Sequence, residues 1–124
     1  MNNSENPNAR MMIIPHSRGA IYTRNALIDS PQYLRNRVEI SAFAPAAYID
    51  DRLCHRVLHY KSAGKRGGWL TDPVTQIDIE GRRRCKDTII TLKPHPDASM
   101  HDHGFRSPTF YKSQKLDIEK YLSR

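Results

Sequence analysis

The stretch from Gly67 to Gly81 is the sequence feature that most constrains the fold. It contains the single tryptophan of the chain, a Thr-Asp-Pro turn and a short run of alternating apolar residues, with glycines at both ends. An aromatic residue beside a turn and a strand-like pattern is typical of the centre of a small core. We therefore expect this stretch to hold the fold together through five apolar side chains: Trp69, Leu70, Val74, Ile77 and Ile79.

Length and composition predict one small domain. The chain has 124 residues, of which 38% are hydrophobic, a smaller share than in most globular domains. A core of this size is often completed by a partner, a metal or a disulfide. We predict three parts: an arm over 1–10 that is flexible or docked on an assembly, a small α+β core over 11–92, and an extended loop with a C-terminal helix over 93–124.

Apolar spacing predicts one long helix, from Ala46 to Tyr60. Its apolar residues recur at intervals of four, four and three: Ile49, Leu53, Val57 and Tyr60. This spacing places them on one face of an α-helix, and the small residues Ser62-Ala63-Gly64 would end it. The helix is the central element of the predicted fold.

Short apolar and β-branched runs predict strands around this helix. One hairpin would pair Met11–Ile14 with Ala20–Tyr22, and a second would pair Gln76–Glu80 with Lys86–Leu92. A further strand is expected near Val38–Ser41. The predicted fold class is α+β: a small single domain with one long central helix, short hairpins, a short C-terminal helix over Ser113–Leu122 and extended polar arms.

The charge balance indicates an anionic partner. Twenty Lys and Arg residues face 13 Asp and Glu residues, for a formal net charge of +7, and such an excess attracts nucleic acid or acidic protein surfaces. Basic side chains flank the central stretch, and a hairpin there would gather them on one face. The candidate binding residues are Lys65, Arg66, Arg82, Arg83, Arg84 and Lys86. Arginines bind phosphates and carboxylates equally well, so the pattern leaves both partners open.

Three histidines in a proline-rich segment are the candidates for a metal site: His95, His101 and His103. Zinc accepts histidine ligands, but the chain has no Cys-x-x-Cys pair. Histidines in loops more often face solvent or bond the backbone. We therefore predict no metal and no cofactor.

The same segment contains groups that a nuclease could use. His101-Asp102-His103 lies close to Arg106 and Ser107, which would supply a base and a phosphate clamp. Ordinary polar loops contain the same residue types, however, and we recognise neither a glycine-rich phosphate loop nor a nucleophile motif. The prediction is that the protein is not an enzyme.

The two cysteines and the N-terminus favour an intracellular setting. Cys54 and Cys85 cannot form a disulfide framework, and the polar residues 1–8 lack the apolar segment of a signal peptide. No apolar run reaches the length of a membrane span. We expect free thiols, no signal peptide, no membrane span, and a location in the cytoplasm, the nucleus or a virion.

Two segments resemble the U-box, a RING-like module of ubiquitin ligases that folds without zinc. Ile14–Leu27 is similar to its turn followed by Gly-x-x-Tyr-x-Arg, and Asp72–Ile79 is similar to its later Pro-x-Thr loop. Asp-Pro-x-Thr loops of proteins from large DNA viruses look similar as well. The family's first Cys/Asp-Pro-Ile loop has no counterpart before Met11. The resemblance implies that Asp72 and Pro73 form a partner-facing turn.

These patterns favour an interaction role. We expect a small basic structural protein of a larger assembly, of the virion or ribonucleoprotein type, that cements neighbouring subunits through its arms and its basic face. Its partners would be other protein subunits of that assembly. The first alternative is a nucleic-acid-binding protein, and the second is a degenerate U-box-like adaptor or ubiquitin ligase.

Overall fold

A four-stranded parallel sheet forms the centre of the molecule. The computed structural model describes residues 9–64 and 72–124. The strands lie side by side in chain order, and every neighbouring pair is parallel: β1 Met11–Ile13, β2 Val38–Phe43, β3 Arg56–Ser62 and β4 Ile89–Leu92. Because all four strands run in the same direction, their carboxyl ends lie along the same edge of the sheet, and crossover connections join the strands.

Helices occupy the connections and follow the last strand. The four α-helices are α1 Gly19–Ile28, α2 Gln32–Arg35, α3 Ile79–Arg84 and α4 Pro108–Ser123. Short 3-10 turns occur at Asp51–Leu53, Pro73–Gln76 and Lys86–Thr88. Within the described ranges, no helix is both long enough and apolar enough to cross a membrane.

Strand β2 is buried along its whole length. Alternate side chains of a strand face opposite sides of a sheet, and β2 meets a different layer on each side. On one side, Val38, Ile40 and Ala42 join a cluster with Leu27 of α1 and Val57 of β3. On the other side, Phe43 joins a second cluster, in which it packs against Tyr60 of β3 and Phe110 of α4.

Helix α4 is fixed to this second side by aromatic packing and by a buried carboxylate. The ring of Phe43 stacks on Tyr60 at 4.8 Å and meets the edge of Phe110 at 5.6 Å, measured between centroids. The carboxylate of Asp117 accepts hydrogen bonds from the hydroxyls of Ser41 at 2.8 Å and Tyr60 at 2.6 Å. These contacts attach the C-terminal helix across the two central strands.

The prediction of one long central helix is wrong. Arg56–Ser62 forms β3, and only Asp51–Leu53 is helical, as a 3-10 turn. Both faces of β3 are covered, so Val57 and Tyr60 are buried on opposite sides of the sheet. Apolar spacing does not separate a helix from a strand when both faces are buried. The longest helix of the described chain is the C-terminal one.

The two predicted hairpins are also wrong. Ala20–Tyr22 lies in α1, and Gln76–Glu80 lies in a 3-10 turn and the start of α3. The strands expected near Met11, Val38 and Ile89 are confirmed, but they pair in parallel through crossovers. The C-terminal helix is confirmed as well, although it begins at Pro108, after its cap Ser107, instead of at Ser113.

The predicted core around Gly67–Gly81 is not confirmed. Ile77, just after the 3-10 turn Pro73–Gln76, and Ile79, at the start of α3, are 69% and 65% exposed. Trp69 and Leu70 lie outside the described residues. The buried residues cluster instead on the two sides of β2.

We expect Phe110→Ala to lower the free energy of unfolding by about 3–5 kcal/mol, because it removes a fully buried ring and leaves a cavity. Urea denaturation followed by circular dichroism would measure the loss. The control is Leu122→Ala on the same helix, where the side chain is 74% exposed and the change should stay within about 0.5 kcal/mol. Equal effects of the two substitutions would contradict the placement of α4.

His59 of β3 makes the stability depend on pH. Its ring is fully buried; Nε2 accepts from the backbone N–H of Ile49 at 2.9 Å, and Nδ1 lies 2.9 Å from the hydroxyl of Thr88. That hydroxyl donates to the carbonyl of Cys85, so Nδ1–H of His59 donates to its oxygen. Burial lowers the pKa of His59 from 6.5 to about 4.

The unfolded chain therefore takes up a proton at this histidine between about pH 6.5 and pH 4, whereas the folded chain does not. Stability contributed by neutral His59 is present above this window and is lost as the pH falls through it, by about 3 kcal/mol in total. Urea denaturation at pH 7 and at pH 4.5 would measure the free energy of unfolding. Between these two pH values it should fall less in His59→Gln than in the wild type. Equal losses would contradict the prediction.

Candidate active site

Ser17 lies on a sharp turn between β1 and α1. Its φ is 56°, in the left-handed region that residues other than glycine seldom adopt. The turn is held by the end of β2: the Ser17 N–H donates to the carbonyl of Phe43 at 3.2 Å, and the Ala46 N–H donates to the carbonyl of Ser17 at 3.0 Å. A strained backbone of this kind often marks a functional position. The hydrogen bonds to the end of β2 place Ser17 at the carboxyl edge of the sheet.

His103 faces Ser17 from the loop between β4 and α4. Its Nε2 lies 2.9 Å from Ser17 Oγ, and its Nδ1 is hydrogen-bonded to Oδ2 of Asp72. The side chain of His103 is 30% exposed, whereas that of Asp72 is 2% exposed. The three residues thus form a continuous hydrogen-bonded chain from a buried carboxylate to the hydroxyl of a half-buried serine.

Asp72 is oriented by the turn that follows it. Its Oδ1 accepts from the backbone N–H of Val74 at 3.0 Å, and its carbonyl accepts from the hydroxyl of Thr75 at 2.9 Å. Thr75 is fully buried, and its own carbonyl accepts from the hydroxyl of Tyr48 at 2.9 Å. One carboxylate oxygen is therefore engaged by the turn, and the other is directed at His103.

This arrangement sets the roles of the two ring nitrogens of His103. A carboxylate can only accept hydrogen bonds, so Nδ1 of His103 carries a proton and donates a hydrogen bond to Asp72. In the neutral imidazole, Nε2 then carries no proton and can accept from the hydroxyl of Ser17. A serine hydroxyl bonded to the free nitrogen of a histidine, itself oriented by a carboxylate, is the arrangement of an activated nucleophile.

A backbone donor lies directly beside Ser17. At the start of α1, the Gly19 N–H bonds the carbonyl of His16 and the Ala20 N–H bonds that of Ser17. The N–H of Arg18 donates to no acceptor among the described residues. Free N–H groups and the helix dipole favour negative charge at a helix N-terminus. The Arg18 N–H is therefore a candidate for stabilising an oxyanion formed at Ser17.

An aromatic cluster adjoins His103. The ring of His16 lies 4.8 Å from that of His103 and 5.7 Å from that of Phe105, between centroids. Phe105 also meets the edge of Phe43 at 6.2 Å and is 39% exposed. This cluster links the exposed end of the site to the buried core.

The cysteines do not compete with Ser17 as nucleophiles. Cys54 and Cys85 are buried free thiols, as the sequence predicts. Burial raises the pKa of Cys54 to about 12 and raises that of Cys85 as well. Because the thiolate is the reactive form, both thiols are inert at neutral pH.

The predicted basic face is divided between two places. Arg82, Arg83 and Lys86 line a shallow groove of about 500 Å³ together with Ile79, Ile89 and Thr91. Arg84 lines a different pocket, of about 310 Å³, whose other charged residues include Asp50, Asp51 and Asp87. Lys65 and Arg66 lie outside the described residues.

The other predicted site residues are placed as follows. Asp72 is buried against His103, and Pro73 beside it is exposed. His95 accepts from the backbone N–H of Asp97 at 3.1 Å, His101 is exposed, and His103 belongs to the chain with Ser17. In residues 9–64 and 72–124, no three His, Cys, Asp or Glu side chains are grouped as metal ligands.

The grouping of Ser17, Asp72 and His103 is not among the sites predicted from the sequence. A signal was present in Pro15-His16-Ser17-Arg18-Gly19, because a serine followed two residues later by glycine, between an apolar run and a helix, resembles a nucleophile elbow. The motif usually has a small residue two positions before the serine as well, where this chain has proline. The motif also requires a helix directly after the serine. The prediction of a strand at Ala20–Tyr22 left no helix there.

Comparisons with protein-family models, with curated proteins and with solved structures give no match to this chain.

Proposed function

We propose that this protein is a serine hydrolase that cleaves an ester, thioester or amide through an acyl intermediate on Ser17. The observation that carries the proposal is the 2.9 Å contact between Ser17 Oγ and Nε2 of His103, whose other ring nitrogen is bonded to buried Asp72. The contacts join residues 86 and 31 positions apart in the chain. This proposal differs from the expectation, based on the sequence, that the protein is not an enzyme.

The first half of the reaction transfers the acyl group to the serine. Ser17 Oγ forms a bond to the carbonyl carbon while its proton moves to Nε2 of His103, and the carbonyl electron pair moves to oxygen. The Arg18 N–H stabilises the resulting oxyanion. Collapse of this intermediate breaks the bond to the leaving group, which takes the proton from His103.

The second half hydrolyses the acyl-enzyme. Water gives a proton to His103 as its oxygen attacks the acyl carbon, and the bond to Ser17 Oγ then breaks. The proton returns from His103 to Ser17, and the carboxylic acid is released. Asp72 holds the Nδ1–H of His103 in place and stabilises the imidazolium during both steps.

The surrounding architecture supports this proposal. A strained serine between a strand and a helix, followed along the chain by Asp and then His, is the arrangement of the nucleophile elbow and triad in α/β-hydrolases. Functional residues of parallel sheets also collect at the carboxyl ends of the strands, where Ser17 and His103 lie. Sites of this geometry occur on unrelated folds. We therefore propose a chemistry for the site and no membership of a fold family.

A fluorophosphonate probe would test the proposal directly. We expect it to label the wild type at Ser17, and we expect the protein to hydrolyse p-nitrophenyl acetate. Ser17→Ala should abolish labelling, and Asp72→Asn should lower kcat by about 10⁴-fold, because the amide favours the wrong tautomer of His103. Labelling followed by peptide mass spectrometry would identify the modified residue.

The matched control is Ser123→Ala, which removes an exposed serine at the end of α4 and should leave labelling unchanged. A folded wild type that neither reacts with the probe nor hydrolyses the ester would refute the hydrolase proposal. Labelling that persists in Ser17→Ala would also refute it.

The basic groove favours nucleic-acid binding as a second candidate function. Arg82, Arg83 and Lys86 lie together in one shallow groove, and the chain carries a net charge of +7. Of the two partners that the sequence leaves open, nucleic acid is favoured, because contacts between clustered cations and its phosphate backbone need no shaped pocket.

We expect substitution of these three residues by alanine to weaken binding of a single-stranded RNA oligonucleotide and to reduce the salt slope by about 0.7 per cation removed. Fluorescence anisotropy at several salt concentrations would measure both. The control removes three exposed lysines from α4, Lys112, Lys115 and Lys120, with the same change in net charge. Equal losses in both variants would show that net charge alone attracts the RNA.

The other roles inferred from sequence stay proposals. A structural role in a virion or ribonucleoprotein assembly is supported by the basic composition, and a U-box-like adaptor by the two matching segments. In the described structure, Ile14–Leu27 forms the Ser17 turn and most of α1, and Asp72–Ile79 forms a 3-10 turn leading into α3.

A further inference from the structure

We propose that Asp102 is a positioning residue that sets the direction of His103 toward Ser17 and Asp72. This inference rests on the proposed hydrolase function. Asp102 immediately precedes His103 and is fully buried, with a φ of 53°. This left-handed conformation sets the path of the backbone immediately before His103, so the direction of His103 depends on it.

The Asp102 carboxylate is held by three hydroxyl groups. Its Oδ2 accepts from Ser62 at 2.6 Å and from Thr109 at 2.5 Å, and its Oδ1 accepts from Ser107. A buried carboxylate is costly unless its oxygens are well hydrogen-bonded, and here both oxygens have donors. No lysine or arginine pairs with Asp102 among the described residues.

These hydroxyls connect Asp102 to three separate segments. Ser62 ends β3 and also accepts from the backbone N–H of Gly64 at 3.2 Å. Ser107 caps α4 by accepting from the Thr109 N–H. The hydroxyl of Thr109 accepts from the backbone N–H of His95 at 2.9 Å. The carboxylate thus ties the loop that carries His103 to the end of β3, to the start of α4 and to the segment after β4.

His103 is fixed from its other side by His16. Nε2 of His16 lies 2.6 Å from the carbonyl oxygen of His103, and since a carbonyl can only accept, His16 donates this bond. His16 also precedes Ser17, so the bond joins the nucleophile turn to the histidine loop. With Asp102 on one side and His16 on the other, the backbone of His103 is held at both its ends.

Asp102 acts on His103 through the backbone. Nδ1 of His103 is already bonded to Asp72, and Nε2 faces Ser17, so neither ring nitrogen is available to Asp102. Loss of the Asp102 carboxylate would therefore displace the imidazole without removing any group that touches the substrate. A misplacement of about 1 Å costs about 10²-fold in rate.

The test compares Asp102→Ala with Asp117→Ala in the full chain. Asp117 is the matched control, because it is also a buried carboxylate that accepts hydroxyl bonds, but it fixes α4 to Ser41 and Tyr60, away from His103. We would measure kcat and KM for p-nitrophenyl acetate, the rate of fluorophosphonate labelling per folded molecule, and the downfield proton resonance of the His103 Nδ1–H.

We expect Asp102→Ala to lower kcat and the labelling rate by about 10²-fold, with KM little changed and with the downfield resonance lost. Asp102→Asn should restore most of the activity, because asparagine keeps hydrogen-bonding capacity and tolerates positive φ. Asp117→Ala should lower the melting temperature but keep kcat and the resonance. Should Asp102→Ala not fold, Ser62→Ala combined with Thr109→Val removes two donors instead and should have the same effect in a smaller degree.

Two results would overturn the inference. One is an unchanged resonance and unchanged kcat in folded Asp102→Ala, and the other is an equal loss of kcat in Asp117→Ala. The resonance does not require activity, so a wild type that shows it but is not labelled would refute the hydrolase function alone. The effect of Asp102→Ala on the resonance would still decide whether Asp102 positions His103.

Discussion

Burial of β2 on both faces is the constraint on which the rest of the structure depends. Its even-numbered residues pack against α1, and Phe43 packs against α4, so both layers need β2 in one register. Phe43 is the last residue of β2. Its carbonyl accepts from the Ser17 N–H, and its own N–H donates to the carbonyl of Pro15. The strand that forms the core therefore also fixes the turn that presents the candidate nucleophile.

The candidate site combines a buried half with an exposed half. Asp72 and Asp102 are almost completely enclosed. Asp72 accepts from the backbone N–H of Val74 and from the Nδ1–H of His103, and Asp102 accepts from three hydroxyl groups. Ser17 and His103 lie at the surface end of the same network. Enclosed carboxylates keep their hydrogen-bond donors without competition from water. The short segments that contain Asp72 and Asp102 can therefore hold His103, although its side chain is partly exposed.

Parts of this structure could be predicted from the sequence. The runs at Met11, Val38 and Ile89 contain the β-branched residues of strands, and the sequence predicts a helix near the C-terminus. Its predicted start is Ser113, although the serine cap followed by proline at Ser107-Pro108 marks the true start. The tertiary arrangement could not be predicted in this way. The spacing of Ile49, Leu53 and Val57 fits a helix, and only the layers on both sides of β3 make a strand the better solution for Val57. The candidate site was missed for a related reason, since Asp72 and His103 are ordinary loop residues until the sheet brings them to Ser17.

The wide separation of the site residues along the chain has a consequence for folding. Ser17 follows the first strand, whereas His103 follows the last and is held in place by the start of α4. A chain in which β4 or α4 has not yet docked contains the serine but no base to activate it. Under the proposed function, Ser17 would thus become reactive only when folding is complete. A nascent or partly unfolded chain would not react at this serine.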